Sequence, residues 1–327
     1  MMRSSLMMIT CLGLGGLMAE AADKKSPAVS AESADADFAL QGEYAGEIKG
    51  EDGPLKIGVQ VIALGGGKFR AVPLIGGLPG AGWNQEKPKT VDGQLKDGAV
   101  RFPGEEATGV LRNGQIHVAD PDGNRVGTLN KVVRKSPTLG LKAPQGAVTL
   151  FDGSDTKHFK KGRKTADGLL MQGTTSVDTF QSFKLHLEFM LSYMPQGRGQ
   201  GRSNSGCYMQ GRYEVQILDS FGLSGEHNEC GGIYSVKKPD VNMCLPPLSW
   251  QTYDIQFTAA KFDNNGKKTA NARMTVKHNG VLIHNDVEVP KRTTASPLTE
   301  GSQNGPIYLQ DHGNPLRFRN IWVLPQN

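Results

Sequence analysis

Seven consecutive residues, Tyr213-Glu214-Val215-Gln216-Ile217-Leu218-Asp219, place two carboxyl groups and a carboxamide close together. In an extended chain the side chains alternate, so Glu214 and Gln216 share one face and Val215 and Ile217 the other. The apolar pair belongs in a core, which leaves the polar pair on an open face. Asp219 has the opposite parity and joins Glu214 only if a β-bulge after Ile217 re-aims it. Two carboxyls on one open sheet are what acid/base work on a sugar needs, one to donate a proton and one to accept it. A second polar segment, Tyr308-Leu309-Gln310-Asp311-His312-Gly313-Asn314-Pro315, ends a strand in a turn. Tyr308, Gln310 and His312 share parity, and an imidazole suits proton transfer near neutral pH. Asp311 and Asn314 equally suit a turn that bonds its own backbone. Arg317 and Arg319 follow, each able to bind an anionic or carbonyl oxygen.

Other chemistries lack their signatures. Gly197 to Gly206 reads GRGQGRSNSG, a flexible basic rim loop without the order of a phosphate-binding loop. No G-x-S-x-G or H-E-x-x-H occurs. Cys207, Cys230 and Cys244 show no zinc spacing. Cys230 and Cys244 could close a short loop, but small buried apolar residues are the favoured reading of all three. The net charge of +5 is spread over the chain with no basic block, so nucleic acid is not an expected partner.

The elements that must position these groups are strands. The 327 residues suggest two domains. The chain holds 42 glycines and 18 prolines, residues that disfavour helix interiors, and 37% hydrophobic content, enough to fill globular cores. Leu55, Ile57, Val59 and Val61 alternate with polar or small residues, as do Phe183, Leu185, Leu187, Phe189 and Leu191. Asp92-Gly93, Asp97-Gly98, Asn113-Gly114, Asp122-Gly123 and Asn279-Gly280 are hairpin signals. Residues 38–134 therefore predict a small antiparallel β domain, a sandwich or barrel, of unknown role. Residues 135–146, with two prolines and two glycines, predict a linker, and 147–327 predict a two-sheet sandwich. Trp83 is a candidate to stack on a sugar, with a core or loop position favoured.

Residues 1–21 resemble a secretory signal: Arg3, an apolar stretch from Leu6 to Met18, then Ala19-Glu20-Ala21 before a cut. Export predicts a secreted or periplasmic protein. Residues 22–37 are small and polar and predict a disordered leader. No mature apolar run is long enough to span a membrane.

Several segments occur in an order that resembles a known family. They are Leu150-Phe151-Asp152-Gly153, Asn204-Ser205-Gly206, the segment from Tyr213 to Asp219, Trp250-Gln251-Thr252-Tyr253, His278-Asn279-Gly280-Val281, and Leu309 to Gly313 through Arg317 to Trp322. Together they resemble the 3-keto-disaccharide hydrolase family over about residues 147–325. The resemblance implies an all-β fold with a C-terminal concanavalin A-like jelly roll, and action on sugars oxidised at C3. The E-x-Q-x-x-D order is also similar to the E-x-D-x-x-E strand of jelly-roll glucanases, with Gln216 in place of the middle acid. A C3 ketone acidifies the C2 hydrogen, so the glycosidic oxygen can leave by elimination before water adds. That route needs a base, an acid and a group to polarise the ketone. The expected catalytic residues are Glu214 or Asp219 as base, with His312 or the other carboxylate as acid. Asn204, Arg212, Gln216, Gln310 and Arg317 are expected to hold hydroxyls or the carbonyl. No cofactor is required, and a divalent metal is permitted without nameable ligands. The expected partner is a carbohydrate. The alternative is a secreted, lectin-like carbohydrate-binding module without turnover.

Overall fold

A computed structural model describes residues 26–50 and 52–326. The signal-like segment 1–21 lies outside them. The described chain is all-β, with 3-10 turns as its only helical elements.

Eight strands form a closed up-and-down barrel: β1 (Gly42–Gly50), β2 (Gly53–Gly65), β3 (Lys68–Ile75), β4 (Val91–Lys96), β5 (Ala99–Pro103), β6 (Thr108–Arg112), β7 (Gln115–Ala119) and β8 (Arg125–Val132). Each strand pairs with the next, and β8 returns to β1. Tyr44, Val61, Phe69, Val100, Phe102, Leu111 and Leu129 fill the interior. Asp97-Gly98 and Asn113-Gly114 make the two-residue hairpins the sequence predicts, with paired positive φ angles of 52° and 72°, and 51° and 74°. Asp92-Gly93 is not a turn but lies within β4. Gly93 is needed there for space, because a Cβ would meet the Phe102 ring at 2.6 Å.

The strands of the C-terminal part are β9 (Val148–Phe151), β10 (Phe159–Lys160), β11 (Leu170–Met171), β12 (Thr174–Phe180), β13 (Ser182–Met190), β14 (Asn204–Met209) and β15 (Tyr213–Leu218). There follow β16 (Trp250–Thr258), the small pair β17 (Lys261–Phe262) and β18 (Lys268–Ala270), β19 (Ala272–His278), β20 (Val281–Val289), β21 (Gly305–Leu309) and β22 (Arg317–Gln326). Two sheets result. The smaller has the order β10-β12-β21-β14-β15, and the larger β11-β22-β13-β16-β19-β20, with β9 also on β22. Phe183, Leu185, Leu187 and Phe189 from the larger sheet and Cys207, Met209, Val215 and Ile217 from the smaller one enter a common core. The alternation that predicted these strands is thus the packing rule of the sandwich.

Barrel and sandwich share a buried seam. Ile62, Val72, Leu74 and Leu78 of the barrel side belong to the sandwich core. Each such aliphatic side chain contributes roughly 1.5–3 kcal/mol when fully buried, so the seam is firm. Residues 26–37 correct the expectation of disorder. Ala28 exchanges two backbone hydrogen bonds with Tyr193, the Tyr193 hydroxyl donates to Asp35, and buried Asp37 accepts the Gly67 amide. Small residues there permit close backbone approach rather than disorder.

The predicted linker carries no strand, but it is strapped onto the outer face of the larger sheet. Ser136 and Thr138 hydroxyls bond to Thr252, and Thr138 donates to Asp254. The Gly140 amide donates to Glu188, and the Leu141 carbonyl accepts from Asn320 and the Trp322 indole. A register shift in β22 opposite β13 coincides with a φ of 44° at Asn320. This bulge accompanies the placing of Arg319, Asn320 and Trp322 together under the strap.

Candidate functional site

The open face of the smaller sheet is built by register. Val215 and Ile217 are core residues, so Glu214 and Gln216 point the other way. Tyr208 pairs with Glu214 on one side and with Tyr308 on the other, and Tyr308 pairs with Thr175. Beyond β15, the Tyr234 amide donates to the Glu214 carbonyl, and Ile233, bridged to Val215, is buried. Tyr234 therefore falls on the Glu214 face. One row reads Thr175, Tyr308, Tyr208, Glu214, Tyr234. The next reads Gln310, Gly206, Gln216, fixed by the Gln310 amide on the Gly206 carbonyl and by the Gly206–Gln216 pair.

Gly206 leaves a hole in that second row, and Glu214 fills it. A Cβ at Gly206 would lie 2.1 Å from Glu214 Oε1. The carboxyl is 2% exposed, and no ion pair to it exists among the described residues. Burial raises its pKa to about 8, against which the Tyr208 hydrogen bond pulls only weakly downward. At neutral pH Glu214 is a carboxylic acid, not a carboxylate. Around it Tyr208 donates toward the Thr294 carbonyl and accepts from Gln310 Nε2 at 3.2 Å. The Glu214 amide donates to the Thr293 hydroxyl. Thr293 and Thr294 also line a groove of about 440 Å³ with Lys291, Arg292, Ala295 and Glu300. They form the wall between that groove and the buried acid.

Of the predicted residues, Asn204, Glu214, Gln216 and Gln310 come together. Asn204 is on the parity of Gly206 and Tyr208, is 1% exposed, and its Oδ1 is buried without a hydrogen-bond partner. His312 is on the β21–β22 turn that follows Gln310, exposed and without a hydrogen bond among the described residues. The turn is pinned to β14, because the Asn204 amide donates to Asn314 Oδ1 and Ser205 donates to the Gln310 carbonyl.

Three predicted residues lie elsewhere. Asp219 keeps the core-side parity, since no bulge follows Ile217, and forms a buried ion pair with Arg202 at 2.7 Å. Arg212 is spent on structure: its guanidinium donates to the Thr299 and Gln303 carbonyls and to Gln210 Oε1. Arg317 starts β22 in the larger sheet, alternating with buried Phe318, and so lies on the far side of the sandwich from Glu214.

Sequence reasoning missed Tyr208, Tyr234 and Gln200, and gave Tyr308 the parity of Gln310 and His312 but no role. The tyrosines on β14 and β21 were legible from parity with Asn204 and Gln310. Gln200 was not, being in the glycine-rich loop. Cys207, Cys230 and Cys244 are buried free thiols. Cys207 is in the core, and burial pushes its thiol pKa far up, so it packs rather than reacts. Trp83 is half-buried against the core, with its indole N–H lacking a partner. Among the described residues, no three His, Cys, Asp or Glu side chains are grouped to hold a metal ion, and no helix is long and apolar enough to cross a membrane.

The model of the 3-keto-alpha-glucoside-1,2-lyase-like domain matches residues 146–324, the sandwich with both polar segments. The crystal structure at 2.13 Å resolution of a putative glycosyl hydrolase from Parabacteroides distasonis ATCC 8503 is 32% identical, with a TM-score of 0.51, over 56% of this chain and 85% of that one. A second protein of that description from the same organism, at 1.70 Å resolution, is 17% identical with a TM-score of 0.41, over 60% of this chain and 99% of its own. No curated protein matches the chain. The matched span covers more than half of the chain, and the chain belongs to the 3-keto-alpha-glucoside-1,2-lyase-like family.

Proposed function

We propose that this carbohydrate-active enzyme cleaves 3-keto-glycosides, 3-keto-disaccharides among them, by elimination followed by hydration. The observation that carries the reading is Glu214: a buried acid with no cation beside it, its pKa raised to about 8, set over Gly206 among tyrosines. A carboxyl kept neutral at pH 7 is suited to give a proton rather than take one. Glu214 is therefore the acid, one of the two roles the sequence leaves open to it, and Asp219, held by Arg202, takes no part. His312, on the turn pinned to β14, is the remaining group of the predicted set able to accept a proton.

In this scheme His312 removes the C2 proton made acidic by the C3 ketone. The C2–H electron pair forms the C1–C2 double bond as the C1–O bond breaks, and Glu214 protonates the departing oxygen. Water then adds across the enone to give the 3-keto sugar. Asn204 and Gln310 hold hydroxyls, and Tyr208 and Tyr308 offer phenol groups toward the ring. Because Glu214 is covered, substrate entry displaces the wall at Thr293 and Thr294.

Incubation with a 3-keto-glucoside in D₂O tests this. Elimination and hydration place solvent deuterium at C2 of the released sugar, whereas direct hydrolysis leaves C2 unlabelled. Binding of 3-keto sugars with no product would support the lectin-like module instead. We further propose export, on the strength of the segment ending Ala19-Glu20-Ala21. A mature N-terminus at Ala22 is the expected sequencing result, and an intact Met1 would contradict it.

A further inference from the structure

The barrel has no role in this scheme, yet its β2–β3 hairpin presses on a loop that reaches the floor of the site. That loop, residues 195–203, is gripped from the barrel at three points. Arg198 donates to the Leu64 carbonyl at 3.0 Å. Arg202, held by Asp219, points its guanidinium at the Ala63 carbonyl. Gly65 packs so tightly that a Cβ would meet Gln196 Cγ at 2.7 Å.

From the loop, Gln200 enters the site. Its Oε1 accepts from Asn204 Nδ2 and from Gln216 Nε2, both at 3.1 Å, and its Nε2 donates to the Asn228 carbonyl at 2.8 Å. The Gln200 backbone carbonyl takes a further bond from Asn204 Nδ2. With its amide nitrogen facing two oxygens, Asn204 has one orientation, and its Oδ1 is left as the buried acceptor without a donor. A buried acceptor without a donor is costly, and a ligand hydroxyl can recover that cost. Gln216 is used up by Gln200, the Asn228 carbonyl and the Ile217 amide. It supports Gln200 rather than meeting the sugar.

Resting on the function proposed above, we infer that the barrel is a positioning element for sugar recognition. It holds the 195–203 arm so that Gln200 fixes Asn204 with its oxygen free to accept one substrate hydroxyl. Gln200 is the positioning residue, and Asn204 Oδ1 is the atom that touches substrate.

The test uses the full chain with three variants: Gln200→Ala, Gly65→Ala, and Gly65→Ala combined with Gln196→Gly. Steady-state kinetics on a 3-keto-glucoside and hydrogen exchange of residues 196–204 are the readouts. Gln200→Ala should raise KM about tenfold, the equivalent of one hydrogen bond of about 1.4 kcal/mol. Gly65→Ala should raise KM about threefold with kcat within about twofold, and loosen the arm's amides, a fraction of that bond's worth. Removing the Gln196 side chain should restore both in part, because an alanine at the Gly65 φ of 85° stays strained after the clash is gone. If Gly65→Ala does not fold, Arg198→Ala with rescue by Arg198→Lys replaces it. An unchanged KM in Gln200→Ala, or arm exchange that ignores Gly65, overturns the inference. A wild-type enzyme without turnover on any 3-keto-glycoside overturns the proposed reaction instead, and the exchange data alone then decide whether the barrel holds the arm.

Discussion

Two buried glutamates face outward from opposite sheets of one sandwich, and their surroundings drive them to opposite charge states. Glu188, on β13, is 1% exposed. Burial pushes its pKa up, but bonds from His186, Asn320, the Gly140 amide and Arg319 outweigh that and hold it at about 2. His186 is in turn bonded to Asp254 at 2.6 Å and stacked on Trp322, and burial's downward pull on it is outweighed by Asp254 and Glu188. Arg319 lies over the Trp250 ring at 3.9 Å. Glu214, equally buried, has the Tyr208 phenol beside it and no cation, and rises to about 8. A fully partnered charge is structure, here the seam that fastens the 135–146 strap. A carboxyl buried without a counter-ion is a stored proton, and perturbed groups of this kind mark functional sites. The difference lies in the neighbours: bulge-placed Arg319 and Asn320 on one face, Gly206 and tyrosines on the other.

The comparison breaks most sharply at Glu214 itself. Glu214→Gln should lower kcat by about 10²–10⁴-fold, the usual worth of a general acid, while leaving thermal stability near wild type at pH 7, since it replaces one neutral group by another. Glu188→Gln should do the reverse. It strands Arg319 and His186 and should cost about 3 kcal/mol in urea unfolding, with kcat of the folded enzyme unchanged.

Acid and base should separate the two faces as well. Glu214 has its folded pKa raised from 4.5 to about 8, so its stabilising contribution is full below 4.5 and lost as pH rises through 8. For Glu188 the folded pKa is depressed from 4.5 to about 2, so its contribution is full above 4.5 and lost as pH falls toward 2. Unfolding curves of Glu214→Gln should therefore lose less stability than wild type between pH 6 and 9, by a difference of about 3 kcal/mol at most. Wild type and variant falling in parallel would contradict the assignment. Gly206→Ala should lower kcat about tenfold by moving the carboxyl off its seat, an effect of about 1.4 kcal/mol. Arg317→Ala, on the far face, should change KM less than about twofold, within the ordinary range of a surface substitution. A large rise would bring Arg317 back toward the substrate.

Much of this could be read from residues alone. The alternation in β13 and β15 gave both sheets their inner faces, and Glu214 with Gln216 followed. The same alternation warned that Asp219 had the wrong parity, and only an imagined bulge kept it in the site. The smaller sheet has no bulge at that point, while β22 of the larger sheet does bulge, at Asn320. Arg212 and Arg317 were misplaced because a single strand's pattern says which residues share a face, not what covers that face or which sheet it belongs to. Gln200 was illegible for a different reason. Its place depends on the barrel hairpin bearing on a glycine-rich loop, a contact spanning more than a hundred residues. Residues 26–37 read as disordered by composition, yet Tyr193 supplies the aromatic surface that Ala28 and Ala34 pack against.

The central claim is that Glu214 holds a proton at neutral pH. Carbon-13 NMR of the glutamate side-chain carboxyls, with the Glu214 signal assigned by its disappearance in Glu214→Gln, measures this directly. A titration midpoint near 8 is the predicted result, and a midpoint near 4 would contradict the account.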